Sequence, residues 1–157
     1  MRKSINRHSL DNLDLKILKE IVENPNASIR EISKKIRVPK STVYYRIHRL
    51  KKMGIIKGSI VLLDSERLGY EYSVVILIKA KYGPRYHKEV GEMLANSKYV
   101  QAVYYVLGEY DFVLLGKFPK KSDYMEFLEK IINSGLIERS ITIVVARTLK
   151  EDFRLGL

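Results

Sequence analysis

No cysteine occurs among the 157 residues. Disulfides, thiolate-ligated zinc and thiol catalysis are thereby excluded, and the absence fits a reducing interior. Histidine is nearly as scarce. His8, His48 and His87 are scattered, with no second ligand at a useful spacing, so no metal centre is expected. The chain also lacks a phosphate-binding P-loop, a Gly-x-Ser-x-Gly elbow and a Gly-x-Gly-x-x-Gly turn. Most carboxylates fall on predicted helix faces beside Lys or Arg, as solvated pairs do. Neither an enzyme nor a bound cofactor is expected. No apolar run approaches the ~18 residues of a membrane span. The opening Met1-Arg-Lys-Ser-Ile-Asn-Arg-His8 has no apolar core of a signal peptide. The expectation is a cytoplasmic protein without a membrane partner.

What the chain has in excess is positive charge, unevenly placed. Lys and Arg total 29 against 18 Asp and Glu, a formal net charge of +11. Residues 1–63 hold 15 basic against 5 acidic side chains, and residues 64–157 hold 14 against 13. Almost the whole excess therefore lies on the N-terminal part, where a polyanion would dock. The split and the length favour two small domains, and 46% hydrophobic residues suffice for packed cores.

Leu13, Ile17, Leu18, Ile21 and Val22 recur at helical spacing and predict an amphipathic helix over 12–23. Asn24-Pro-Asn-Ala27 ends it. Ser28 followed by Glu31 is a capping box, opening a second helix whose buried stripe is Ile29, Ile32 and Ile36. Arg37-Val38 makes a tight turn, and Pro39 suits the first position of a third helix. That helix would bury Val43, Ile47 and Leu50 and end at Gly54 in a left-handed cap. Ile55 to Leu63, with Gly58-Ser59 at a bend, reads as strand, turn, strand. Three helices and a β-wing make a winged helix-turn-helix over residues 1–63.

Asp64 to Glu71 is polar and reads as a linker. Over 72–157 the pattern becomes strand 72–81, helix 85–96, strand 99–107, a turn at Gly108-Glu-Tyr-Asp111, strand 112–118, helix 122–133 and strand 140–148. The order βαββαβ is the ferredoxin-like motif, and the fold class is α+β. In the first strand Val74, Ile76 and Ile78 share one face while Val75 and Leu77 share the other. In the second, Val100, Ala102 and Val106 oppose Val103, Tyr105 and Leu107. Two helices cover one face only, so the other apolar face is expected to pack on a second copy.

With Val43 at the buried centre of the third helix, its outer face carries Ser41, Tyr45, His48, Arg49 and Lys52, with Lys40, Thr42, Tyr44 and Arg46 on the flanks. Recognition helices meet base edges with their N-terminal residues. Lys40, Ser41, Tyr44 and Tyr45 are therefore assigned to bases: Lys and Ser by hydrogen bonds, the tyrosine rings against thymine methyls. Arg46, Arg49 and Lys52 are assigned to phosphates, with a brace against neighbouring helices as the other use open to Arg46. Arg2, Lys3 and Arg7 form either a basic arm to the DNA backbone or a solvated end.

At this point the chain resembles the Lrp/AsnC (feast/famine) family of transcription regulators over nearly its full length. The residues that carry the resemblance are Leu10-Asp-Asn-Leu-Asp-Leu-Lys-Ile-Leu18, Ser41-Thr-Val-Tyr-Tyr-Arg-Ile-His-Arg-Leu50, Gly54-Ile-Ile-Lys-Gly58, Leu107-Gly-Glu-Tyr-Asp-Phe112 and Thr142-Ile-Val-Val145. The resemblance implies a homodimer built through the C-terminal sheets, assembling to tetramers, octamers or larger discs. It also implies an amino acid or related metabolite bound between C-terminal domains. Its pocket would be lined by Gly108, Glu109, Tyr110 and Asp111, with Thr142 from the last strand and Tyr82 as a further wall. Asp111 would meet the ligand's ammonium, or else cap its own turn. Three positions depart from the family pattern: Pro39 stands for a serine, Arg37 for a glycine and Ser59 for an aromatic residue.

Two other readings compete. RNA recognition motifs share the βαββαβ order, but Leu107 stands where their pattern wants Lys or Arg, and the domain's net charge is only +1. The other is a ligand-independent DNA-binding regulator or architectural protein whose C-terminal domain only oligomerises.

Overall fold

A computed structural model describes residues 10–157. The Arg2, Lys3 and Arg7 arm and His8 lie outside the described residues. The described residues form two compact units, residues 10–61 with 151–157, and residues 62–150.

The first unit is built from α1 (Asn12–Glu23), α2 (Ile29–Ile36) and α3 (Lys40–Lys52). Each start has a local cause. Asp11 caps α1, accepting the Asp14 N–H at 2.9 Å while the Asp14 side chain accepts the Asp11 N–H at 3.1 Å. Ser28 and Glu31 repeat the arrangement at α2. The turn after α2 is pinned by Ser33, whose hydroxyl donates to the Val38 carbonyl at 2.6 Å, and Arg37 takes the left-handed conformation there (φ 57°). Pro39 is the residue before α3 rather than its first residue, and it supplies no side-chain cap. Gly54 follows α3 at φ 71°, as the left-handed cap requires. Ile17, Leu18 and Leu50 form the core, with Leu13, Ile21, Ile36, Ile47, Ile55 and Ile56 packed against them.

The wing expected over 55–63 is not formed. The N–H groups of Ile55 and Ile56 bond back to the Leu50 carbonyl at 3.0 and 3.3 Å, and their side chains close on the helical core. Folding them inward removes one strand of the expected hairpin. Ile60, Val61, Leu62 and Leu63 continue as an exposed segment without strand pairing among the described residues.

A buried ion cluster locks α1 to α3. Asp14 is fully buried, and its carboxylate accepts from Arg46 Nη1 at 3.1 Å and from Arg49 Nη2 at 2.5 Å. Arg46 also bonds to Asp11.

The second unit is a four-stranded antiparallel sheet of β1 (Tyr72–Ala80), β2 (Val100–Tyr105), β3 (Phe112–Phe118) and β4 (Ile137–Val144), in the order β2-β3-β1-β4. Helices α4 (Tyr86–Ala95) and α5 (Lys121–Asn133) supply the helical part of its core. Val74, Ile76, Ile78, Phe112, Leu114 and Phe118 face them together with Val90, Leu94, Tyr124, Phe127 and Ile131. The last strand begins at Ile137, three residues before the expected start, because Gly135 turns the chain at φ 72° immediately after α5. Residues 145–148 lie beyond the strand.

One facing assignment needs correction. The register runs Val100↔Gly116 and then Ala102↔Leu115, so Gln101 is an extra residue that bulges from β2. The bulge brings Val100 to the helix side with Val103. It leaves Ala102 and Tyr104 opposite Leu115 and Val113 on the open side. Leu107 lies past the strand and is almost fully exposed. The open face is otherwise as expected from alternation: Val75, Leu77, Val113, Leu115, Ile141 and Ile143, without a covering helix.

Asp14→Ala would leave the half-buried Arg49 without a carboxylate and Arg46 with Asp11 alone. Loss of one partner from such a cluster costs about 3 kcal/mol, so urea denaturation followed by helical circular dichroism should show that loss in the first unit. A change below about 0.5 kcal/mol, the scale of a surface substitution, would show that the cluster does not hold the unit. Asp11 adds a pH dependence. Its carboxyl is held below the ordinary range by the Asp14 N–H bond and by Arg46. That contribution is fully present above the ordinary Asp value of about 3.9 and is lost as pH falls through the depressed one. Acid unfolding of the wild-type unit should therefore steepen below about pH 4, and Asp11→Asn should flatten it.

Candidate nucleic-acid interface

Helix α3 presents its outer face to solvent. Lys40, Ser41, Tyr44, Tyr45, His48, Lys51 and Lys52 are exposed, Tyr44 and Tyr45 by 61% and 65%. Large aromatic side chains at that exposure are costly for a monomer to display and are suited to contact with a partner. The Tyr44 ring stacks on His48 one turn later, with centroids 6.4 Å apart and planes 27° apart, which restricts its rotamer before any partner arrives. Lys40 and Lys52 make no ion pair among the described residues.

Arg46 and Arg49 stand differently. Both point their guanidinium nitrogens at Asp14, and both are only partly exposed. Each braces α1 against α3, the other use recognised for Arg46, while keeping part of its side chain open to solvent. Asp14 was the residue whose role the sequence reading missed, although Asp11-x-x-Asp14 before an apolar stripe is a capping-box spacing.

The six residues expected around an effector do not converge on one point. Asp111 is buried. Its carboxylate accepts the Ala80 N–H at 3.0 Å and Lys79 Nζ at 3.3 Å, while its own N–H donates to the Ile78 carbonyl at 2.9 Å. Burial is the largest influence and works against the Lys79 charge, but the hydrogen bond to Asp111, its negative charge and Tyr82 together outweigh it and hold the ammonium above its ordinary range. Asp111 thus ties the β2–β3 turn to the end of β1. Tyr82 lies under Lys79 Nζ, 5.2 Å from it, and its ring sits 5.1 Å from that of Tyr86. The Tyr86 and Tyr105 hydroxyls share a bond of 3.2 Å, which raises the Tyr86 phenol above its ordinary range.

Glu109 and Tyr110 are drawn to Arg139 on β4. The guanidinium donates to Glu109 at 2.7 Å and lies 5.1 Å from the Tyr110 ring centre. Lys79 and Arg139 are register partners, so the Asp111 and Glu109 groups occupy the same end of the sheet. Gly108 is at the tip of the turn with open space around it. Thr142 stands apart. It pairs with Ile76, on the helix-covered side, and its hydroxyl bonds to Tyr124 at 2.6 Å. The alternation of β4 carries it away from the other five.

A helix-turn-helix with a basic, aromatic outer helix, followed by a ferredoxin-like domain, defines a DNA-binding transcription regulator. The comparisons agree. The winged helix-turn-helix DNA-binding family matches residues 10–57, and the Lrp/AsnC ligand binding domain matches residues 73–155. An uncharacterized HTH-type transcriptional regulator of Pyrococcus furiosus is 40% identical over 146 residues, covering 93% of this chain and 97% of that protein. The HTH-type transcriptional regulator FL11 of Pyrococcus horikoshii is 34% identical over 151 residues, covering 96% and 99%. A Neisseria meningitidis transcriptional regulator solved as its L-Met complex shares the fold at a TM-score of 0.85, with 20% identity over 94% of this chain and 96% of that one. The chain belongs to the Lrp/AsnC family of transcription regulators.

Asp111→Ala should therefore act on stability. Removing a buried carboxylate strands the Ala80 N–H and the half-buried Lys79 ammonium, at a cost of about 2–3 kcal/mol. Nine of the eleven tyrosines lie in the second unit, so a urea melt followed by tyrosine fluorescence reads it. An unchanged midpoint would return Asp111 to a purely ligand-directed role.

Proposed function

We propose that the protein is a homo-oligomeric, sequence-specific regulator that inserts α3 into the DNA major groove and answers to an amino acid or related metabolite. The observation that carries the proposal is the outer face of α3, where Lys40, Ser41, Tyr44 and Tyr45 are exposed at the N-terminal half. Those four would meet base edges, and Lys52 would take a phosphate near the other end. Two recognition helices in a dimer would reach half-sites about one helical turn apart, so the operator would be a rough palindrome.

Assembly through the open sheet face is supported by its composition. Ile141, Ile143 and Tyr104 are each about half exposed (46%, 51% and 50%) and sit beside Val75, Leu77, Val113 and Leu115. An uncovered aliphatic surface of this kind favours a second copy. The domain's net charge of only +1 argues against RNA. Leu77→Lys places a charge between Val113 and Ile141 and should give a monomer in sedimentation equilibrium. Retention of the assembly would move the interface elsewhere.

For the effector, support comes from the ligand-binding family match and from the L-Met complex of the Neisseria relative. Gly108, Glu109, Tyr110 and Tyr82 remain the lining in this reading, with Asp111 and Lys79 setting the shape of the turn beneath them. The second reading, a ligand-independent oligomeriser, draws on the engagement of Asp111 within its own chain. A footprint upstream of the protein's own coding region, with and without a pool of amino acids, separates the two. Protection in blocks about ten base pairs apart, altered by the pool, is the expected result. Blocks indifferent to every amino acid would favour the second reading. Tyr45→Ala should blunt the preference for operator over random DNA, and an unchanged preference would remove Tyr45 from the bases.

A further inference from the structure

The exposed arc of α2 divides by charge. At 100° per residue, Arg30 and Lys34 fall on one flank, continued by Arg37 at the C-terminal end, while Glu31 and Lys35 fall on the other. The second flank is internally balanced. Lys35 pairs with Glu20 at 2.8 Å, Glu31 caps Ser28, and Glu23 lies with them around a groove of about 570 Å³. The first flank is not balanced. Arg30, Lys34 and Arg37 are exposed, and none has a side-chain hydrogen bond or salt bridge among the described residues. Lys34 comes near enough to Glu31 to favour its charge, without bonding to it.

Arg37 is the sharpest of the three. It sits at φ 57° and ψ 47°, one of two non-glycine residues with positive φ among the described residues. Glycine takes this conformation freely, whereas an L side chain strains against its own carbonyl. Ser33 holds the turn closed from both sides, through its carbonyl to the N–H groups of Arg37 and Val38 and through its hydroxyl to the Val38 carbonyl. The chain thus keeps a long cation at a position where a glycine would relax the backbone, and gives it no partner of its own. Residues held in this conformation cluster at ligand clamps and switch regions.

We infer that Arg37, with Arg30 and Lys34, is a phosphate clamp: the turn and the first helix of the reading head supply DNA-backbone contacts beyond those expected of α3. The chemistry suits it, since the first helix of a docked helix-turn-helix crosses the DNA backbone and a guanidinium fork matches phosphate oxygens. The inference rests on the proposed docking of α3.

The test compares the full-length wild type with Arg37→Gly, Arg37→Lys and the double variant Arg30→Ala/Lys34→Ala, measuring melting temperature and the salt dependence of DNA affinity. Lys88→Ala, on α4 in the other unit, controls for net charge. Arg37→Gly should melt no lower than wild type yet bind every sequence more weakly, with a log–log salt slope smaller by about one. Arg37→Lys should keep the slope, the double variant should lower it by about two, and Lys88→Ala should leave it unchanged. An Arg37→Gly slope equal to wild type overturns the assignment. So does a loss confined to the operator, which would make Arg37 a base reader. A wild type without salt-dependent DNA binding would instead overturn the docking itself, and the clamp with it.

Discussion

A carboxylate with no access to water organises the reading head. Asp14 is carried on the first turn of α1, and burying its charge is unfavourable unless hydrogen-bonded cations surround it. Arg46 and Arg49 supply them from α3, and the Asp11 N–H supplies a third donor. The geometry is demanding, because both guanidinium groups must come to one residue from successive turns of the same helix. Once met, it fixes how α3 rotates about its own axis. That rotation decides which side chains face outward. With Arg46 and Arg49 turned to Asp14, the outward set is Lys40, Ser41, Tyr44, Tyr45, His48 and Lys52. The exposed face of α3 is thus a consequence of an inward-facing ion cluster.

The second unit uses the same device. Asp111 is buried, and its bonds to Ala80 and Lys79 join a turn to a strand end 31 residues away in the chain. Both acids lie in segments that carry the family resemblance, and both act by positioning their neighbours. Whatever binds near Glu109, Tyr110 and Tyr82 meets a turn whose shape Asp111 has already set.

How far these features were legible depended on their range. Local signals read well: the capping box at Ser28 and Glu31, the left-handed Gly54 and the period-two strands each depend on residues within one turn or one pleat. The βαββαβ order followed from them. Features needing a distant partner did not read. Ile55 and Ile56 read as the start of a strand, yet they pack on the core around Leu50. The Gln101 bulge reverses the facing of Val100 because of pairing with Gly116, and nothing in β2 itself announces it. Arg46 and Arg49 looked like outward charges because helical spacing gives an angle and not a partner, and Asp14 lies 32 residues earlier. Thr142 turns to the helix side for a related reason: a one-residue step along a strand changes the face.

Net charge taken alone is a weak argument for nucleic-acid binding, since many soluble domains are basic. Distribution makes it stronger. The first 63 residues hold five acids, and none is left scattered across the basic surface. Asp11 and Asp14 bond to Arg46, and Glu20, Glu23 and Glu31 lie around one groove beside Lys35. A basic residue with a carboxylate neighbour already has a counter-charge and gains less from a phosphate. Confining the acids to two places leaves the remaining cations, on α3 and on the Arg30 flank of α2, without an internal competitor. The same +10 spread evenly among interleaved acids would give a comparable isoelectric point and a far weaker field at a DNA surface. Folding, by deciding which acids meet which bases, turns a composition into an interface.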